Sequence, residues 1–191
     1  MKITSDLKEM IAQELKRRNS NSNPPFKHTV GWPLYDENEL CAALDSLLDL
    51  SLSQGPRVKA FEKAYREYLD MPEGSGSVAV NSGSSANLVC FAALIDAGRL
   101  NPGDEVIVPS ATFATVSSIL YQLGLVPVYI DSEMDTWNMD PIALDEAISD
   151  KTKAIIVVHN LGIPAKMDEI MNIANFCLLY TSDAADDRSC V

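Results

Sequence analysis

Short apolar runs alternate with helical stretches through most of this chain. From Ser77 onward the runs VAV, EVIVP, VPVYID and KAIIVVHN are each followed by a stretch in which apolar residues recur at helical spacing. Strands that are apolar on both sides and alternate with helices are typical of a mostly parallel sheet. We therefore predict an α/β fold with helices on both faces of the sheet, the last helix starting at Met167.

The residues before these strands predict three further helices. Five apolar residues of the first helix share one face: Ile3, Leu7, Met10, Ile11 and Leu15. We interpret residues 1–35 as this helix and a Pro- and Asn-rich arm. The second helix begins at Asp36, three residues before Glu39, which is the spacing of a capping box. The third follows the turn SQGP.

Charge and composition narrow the class of protein. The chain has 191 residues and a formal net charge of −12, from 27 acidic against 15 basic residues. This balance disfavours nucleic acid or a membrane surface as partner, but permits a small anion held by backbone N–H groups. Charged residues interrupt the first helix too often for a signal peptide, and no stretch reaches membrane-spanning length. The four scattered cysteines form no metal or redox motif, so we expect reduced thiols in a cytoplasmic protein without a metal.

The corner SVAVNSGSSANL predicts an anion site. A helix that begins directly after a strand presents unpaired N–H groups and the positive end of its dipole. Gly83 would let the backbone approach a ligand, and Ser82, Ser84 and Ser85 could add hydroxyl donors around a phosphate. The alternative is that Asn81 or Ser82 merely caps the helix. Neither a dinucleotide fingerprint nor a P-loop motif follows the strand.

Several motifs carry a family resemblance. The segments VAVNSGSSANL, NPGDEVIVPSATFATVSSILYQLGLVPVYID and TWNMDPIALDEAISDKTKAIIVVHNLGIPAKMDEI resemble, in that order, the amino-terminal half of the DegT/StrS pyridoxal-phosphate-dependent sugar aminotransferases and dehydratases. The resemblance covers residues 32–174. It implies that residues 36–176 form part of the large domain of a fold-type I (aspartate-aminotransferase-like) enzyme. It also implies pyridoxal 5'-phosphate or pyridoxamine 5'-phosphate as cofactor.

The resemblance assigns cofactor-binding roles to five residues. Gly83, Ser84 and Ser85 would hold the phosphate, and the ring of Phe113 would lie against the pyridine face. The amide of Asn160, at the end of the strand KAIIVVHN, could bond the phenolic oxygen of the cofactor. Without the resemblance, Phe113 would be interpreted as ordinary core.

Three nearby residues are interpreted as structural. His159 could simply bridge backbone groups. Trp137 is expected to cover an end of the sheet, and Asp140 to cap the helix that begins at Pro141.

No catalytic residue is assigned. By the resemblance, the acid that pairs with the pyridine nitrogen and the Schiff-base lysine, or the histidine that replaces it in the dehydratases, would follow Ala174. The intact protein is expected to be a homodimer acting on a nucleotide-linked keto-sugar, by transamination or 3-dehydration, and the wording SGSSANL favours the dehydratase branch. Two alternatives stay open: a non-catalytic phosphate- or nucleotide-binding module, and a regulatory relative without turnover.

The last fifteen residues depart from this pattern. Residues 177–191 have neither helical nor strand periodicity, and they resemble translated sequencing adapter. We expect a non-native or disordered tail on a truncated reading frame, inactive by itself and poorly soluble.

Overall fold

A computed structural model of the chain describes residues 3–21, 35–176 and 180–183. It divides into two compact units, Met1–Ala79 and Val80–Val191. The first unit contains three helices, α1 (Ser5–Asn21), α2 (Glu37–Leu48) and α3 (Pro56–Tyr68). All three were predicted from apolar spacing.

Local capping fixes the start of α2. The Asp36 carboxylate accepts a hydrogen bond from the Asn38 N–H, and the Glu39 carboxylate accepts one from the Asp36 N–H, which completes the predicted capping box. Within the same unit α1 packs against α2, and the backbone N–H of Ile3 donates to Asp45 Oδ1 at a distance of 3.0 Å.

The predicted strand at residues 78–80 is wrong. This segment pairs with no strand among the described residues, and Val78 is 72% exposed. The Ala79 N–H donates instead to Glu62 Oε1 of α3, at 2.9 Å. An apolar run becomes a strand only where a neighbouring strand accepts its ladder of hydrogen bonds, and the run itself does not contain that partner.

The second unit is the α/β part of the fold. Its elements, in chain order, are α4 (Gly83–Asp96), β1 (Glu105–Pro109), α5 (Ala114–Gln122), β2 (Val126–Ile130), α6 (Pro141–Ala147), β3 (Thr152–Val157), a 3-10 turn (Asn160–Gly162), α7 (Met167–Phe176) and β4 (Tyr180–Asp183). The strands pair in the order β2-β1-β3-β4, and every pair is parallel. This confirms the predicted α/β fold.

Alternation along β1 and β3 explains why both faces of the sheet are covered. Val106 and Val108 of β1 point into a core shared with α4 and α5, whereas Ile107 points into a core shared with α6 and α7. In β3, Ala154 and Ile156 face the first core and Ile155 the second. Strands apolar on both sides therefore bury both sets of side chains against helices.

The tail differs from its prediction over four residues. Tyr180–Asp183 form β4, which pairs in parallel with β3. Their backbone therefore extends the sheet by one strand. The remaining predicted tail, residues 177–179 and 184–191, lies outside the described residues.

Candidate functional site

The start of α4 lies on the side of the carboxyl edge of the sheet. Only residues 97–104 connect the end of α4 to the start of β1, and Leu100 within this connection is fully buried in the core under α4. So short a connection places the end of α4 near the amino edge, which makes α4 antiparallel to β1. Its first turn therefore faces the edge where ligands bind in parallel α/β sheets.

Serine caps α4 but leaves part of its first turn open. Ser82 Oγ accepts a hydrogen bond from the Ser85 N–H at 3.2 Å and lies 3.1 Å from Ser85 Oγ. Both the capping interpretation and the anion interpretation of this corner therefore have a structural basis. Within the part of the chain that the structure describes, no group accepts from the N–H of Gly83 or Ser84. Two donors at the positive end of a helix remain available to an anion.

Gly83 is not required by the fold. Its backbone is in the helical region, and a Cβ built on it would meet nothing within 4 Å. Neither backbone strain nor packing in the described residues therefore explains a glycine here. A ligand that approaches the backbone closely would explain it.

Phe113 is available to a ligand. It lies at the N-cap position of α5, beyond the end of β1, and 74% of it is exposed. The alternative interpretation as a core residue is therefore wrong, because the preceding SAT loop carries the ring outside both cores. In the same loop, Thr112 Oγ1 is buried without a hydrogen-bond partner among the described residues. The groups at this edge thus include backbone N–H donors, hydroxyls and an exposed aromatic ring.

Asn160 is held by the neighbouring loop. Its N–H donates to Asn138 Oδ1 at 2.8 Å, and its Nδ2 lies 3.4 Å from the carbonyl oxygen of Trp137. No described group binds its Oδ1. Sequence analysis missed Asn138, which is only 1% exposed and whose Nδ2 donates to the carbonyl of Ile163 at 2.9 Å.

The residues interpreted as structural behave differently from one another. His159 Nδ1 accepts the Ala165 N–H at 3.0 Å, so the ring bonds one backbone group, as a structural histidine does. Asp140 accepts from the Ile142 N–H at the start of α6, which confirms its capping role. Trp137 does not cover a sheet end, because it is 62% exposed and has a left-handed backbone with φ of 62°.

An ion pair joins the loop after β2 to the loop after β3. Glu133 Oε1 lies 2.6 Å from Lys166 Nζ, and Thr136 Oγ1 donates to Glu133 Oε2 at 2.8 Å. The bonds from Lys166 and then Thr136 hold the pKa of Glu133 below its ordinary value. The same pair raises the pKa of Lys166. Both groups stay charged at neutral pH and contribute to holding the loops together.

Two other kinds of site are absent from the described residues. Across residues 3–21, 35–176 and 180–183, no helix is both long and apolar enough to cross a bilayer. Nor do three or more metal-ligating side chains gather into a group in these ranges.

Comparison with known proteins decides the family. The family model of the DegT/DnrJ/EryC1/StrS aminotransferases matches residues 34–187. This chain belongs to that family. The match confirms the predicted resemblance, and it extends through β4, beyond the predicted end at residue 174.

Relatives of both predicted branches resemble the chain. The dTDP-4-dehydro-2,6-dideoxy-D-glucose 3-dehydratase of Saccharopolyspora spinosa is 36% identical over 143 residues, which are 73% of this chain and 30% of that protein. The solved E. coli GDP-4-keto-6-deoxy-D-mannose 3-dehydratase with bound hydrated PLP matches with a TM-score of 0.73 and 34% identity, over 81% of this chain and 40% of that one. A solved aminotransferase from Psychrobacter cryohalolentis matches with a TM-score of 0.70 and 32% identity, over 79% and 37%.

These matches confirm the fold and the cofactor of the family. The chain has part of the large domain of the fold-type I enzymes, and pyridoxal phosphate is the cofactor of the family. The chain spans about two fifths or less of the length of the relatives it matches.

Proposed function

We propose that this chain is the cofactor-phosphate half of a pyridoxal-phosphate-dependent enzyme that dehydrates or transaminates a nucleotide-linked keto-deoxysugar. The observation that carries the proposal is the open first turn of α4, where the N–H groups of Gly83 and Ser84 have no acceptor among the described residues. Membership of the DegT/DnrJ/EryC1/StrS family and the nucleotide-sugar names of its relatives support the substrate class.

Each of the five predicted residues has a role in this proposal. The N–H groups of Gly83 and Ser84 bind the phosphate, and the Ser85 hydroxyl, already oriented by Ser82, lies one residue further along the same turn. The exposed ring of Phe113 covers a face of the pyridine and excludes water from it. The side-chain amide of Asn160 would hydrogen-bond the phenolic oxygen of the cofactor, with the long 3.4 Å contact of its Nδ2 to the Trp137 carbonyl as its one side-chain bond among the described residues.

When bound, pyridoxal phosphate supplies an electron sink for carbanions next to its imine carbon. The described residues bind and orient it; proton transfer requires a lysine or a histidine that we place in the remainder of the enzyme. By itself this chain is therefore inactive. That residue decides the branch: lysine for an aminotransferase and histidine for a 3-dehydratase. The sequence SGSSANL favours the 3-dehydratase branch. We also propose that the whole enzyme is a cytoplasmic homodimer.

The competing proposal is a module that binds some other phosphate ligand without catalysis. It shares the α4 site but not the role of Phe113. Titration of the purified chain with pyridoxal phosphate, followed by absorbance and by equilibrium dialysis, separates the two. We expect saturable binding, competition by inorganic phosphate, and weaker binding of pyridoxal without its phosphate.

Phe113→Ala is the matched variant for the ring. It should weaken the binding of pyridoxal phosphate by about tenfold and leave the binding of inorganic phosphate unchanged. The aromatic face of Phe113 stacks on the pyridine ring, which inorganic phosphate lacks. If nucleotides bind and pyridoxal phosphate does not, the competing proposal is correct. Absence of any saturable binding of either ligand would contradict both.

A further inference from the structure

The two loops at the carboxyl edge of the sheet are joined by a buried amide. The loop after β2 (residues 131–140, the β2 loop) supplies Asn138, which is 1% exposed. Its partners are backbone groups of the loop after β3 (residues 158–166, the β3 loop), which lie 22 and 25 residues further along the chain. A buried amide whose bonds cross between two loops fixes their relative position.

The link uses both ends of the Asn138 amide. Its oxygen accepts the Asn160 N–H at 2.8 Å, and its nitrogen donates to the Ile163 carbonyl at 2.9 Å. These two bonds bracket the 3-10 turn at residues 160–162. Asn160 returns the interaction through its Nδ2, which lies 3.4 Å from the Trp137 carbonyl oxygen.

The bracketed backbone is in an unfavourable conformation. Leu161 has φ of 55° and Trp137 has φ of 62°, in a region that bulky side chains rarely adopt. Both side chains are exposed, so packing does not hold them there. Such conformations persist only where surrounding bonds impose them, and they concentrate at ligand sites. The two bonds of the buried Asn138 amide lie at both ends of this turn, beside the turn's own bonds from the Gly162 and Ile163 N–H groups to the carbonyls of His159 and Asn160.

We propose that Asn138 is a positioning residue: it holds the β3 loop in the left-handed conformation that presents the side-chain amide of Asn160 to the ligand. This rests on the proposed function, in which that ligand is the cofactor. Asn138 does not touch the cofactor itself; its effect is transmitted through Asn160.

The test compares Asn138→Leu with a matched control, Thr152→Val. Leucine has the same number and branching of side-chain heavy atoms and removes both bonds. Thr152 is also 1% exposed and also accepts one backbone N–H, that of Ser149 at 3.0 Å, but it lies at the opposite, amino end of β3. Both variants lose buried polar bonds in the same unit, so a general loss of stability affects both.

Hydrogen exchange measured by NMR gives the first result. We expect the Asn160 N–H to exchange at least about tenfold faster in Asn138→Leu and to be unchanged in Thr152→Val. Asn138→Asp keeps the acceptor for Asn160 but loses the donor to Ile163, so it should preserve protection of Asn160. It also serves as the second variant should the leucine variant not fold. Equal Asn160 exchange in Asn138→Leu and the wild-type chain would overturn the proposal.

Pyridoxal phosphate affinity gives the second result. Asn138→Leu should raise the dissociation constant about tenfold and Thr152→Val should leave it unchanged. Combined with Asn160→Ala, Asn138→Leu should add no further loss, because both act through one amide. Full additivity, or an unchanged dissociation constant, overturns the proposal. If the wild-type chain does not bind pyridoxal phosphate, the proposed function fails, and the exchange measurement alone decides whether Asn138 holds the loop.

Discussion

Two helices of this chain begin with a side-chain cap, but only one of the two starts carries negative charge. At α2, the Asp36 carboxylate accepts a hydrogen bond from the Asn38 N–H at 2.7 Å, and the Glu39 carboxylate accepts one from the Asp36 N–H at 2.8 Å. Glu37 adds a third carboxylate to this helix start. At α4, Ser82 accepts one N–H at 3.2 Å, and the first turn contains no acidic residue.

The difference in charge separates a structural helix start from a binding one. A helix carries about half a positive charge at its first turn. At α2 this charge is already compensated by the protein, and the Asn38 N–H holds the pKa of Asp36 below its ordinary value. At α4 it is compensated by no acidic group of the first turn, although the helix is capped well enough to form. An anion therefore gains more free energy at α4 than it could at α2.

Giving α4 the charge pattern of α2 should produce the largest effect. Ser84→Asp places a carboxylate in the first turn, where it neutralises the helix dipole and repels the phosphate. We expect the dissociation constant for pyridoxal phosphate to rise by on the order of a hundredfold. Thermal stability should be unchanged or slightly higher, since an acidic residue suits a helix start. Equilibrium dialysis measures the first effect and circular dichroism the second.

Ser84→Asn is the control, because it has nearly the same shape without the charge. It should weaken binding much less than aspartate does. Comparable losses in the two variants would mean that the side chain sterically excludes the ligand, and the comparison of the two helix starts would then not explain binding.

Gly83→Ala should produce a smaller loss of affinity, again without a loss of stability. The added Cβ meets nothing in the described protein, and alanine favours the helix by up to about 1 kcal/mol over glycine. Only a bound ligand would contact it, so we expect the dissociation constant to rise roughly tenfold while the melting temperature rises or stays constant. Unchanged affinity would show that the phosphate does not approach this backbone.

The sequence predicted the helices and three of the strands because their signals are local. Residues 154–157 of β3 form an uninterrupted apolar run, and their side chains pack against helices on both faces of the sheet. The run at residues 78–80 is also short and apolar, but strand formation depends on a partner strand that the run does not specify. Local pattern therefore predicts an extended conformation and not its pairing.

Site prediction divides along the same line. Ser82 and Gly83 were predicted because a helix start rich in Ser and Gly has a composition of its own. Asn138 was missed because an asparagine in a loop is typical of any turn, and its partners lie 22 and 25 residues away. The TWNMD and HNLGIP loops had to be folded against each other before that amide could be seen to join them. The exposure of Phe113 was likewise decided by tertiary packing.

The smallest effect should come from removing the charged cap of α2. Because the pKa of Asp36 is lowered in the folded chain from its ordinary 3.8, its stabilising effect is present above about pH 4 and is lost as pH falls through the lower folded value. Asp36→Asn keeps a capping oxygen without the charge, so near pH 7 it should lower the melting temperature by about 4 °C or less, and less still near pH 3. Ser82→Ala removes the neutral cap of α4, and its effect should not change with pH between 3 and 7. Thermal scans of both variants across this pH range measure the contrast directly. If the two variants show the same pH dependence, the two helix starts do not differ in charge in the way that the α4 site requires.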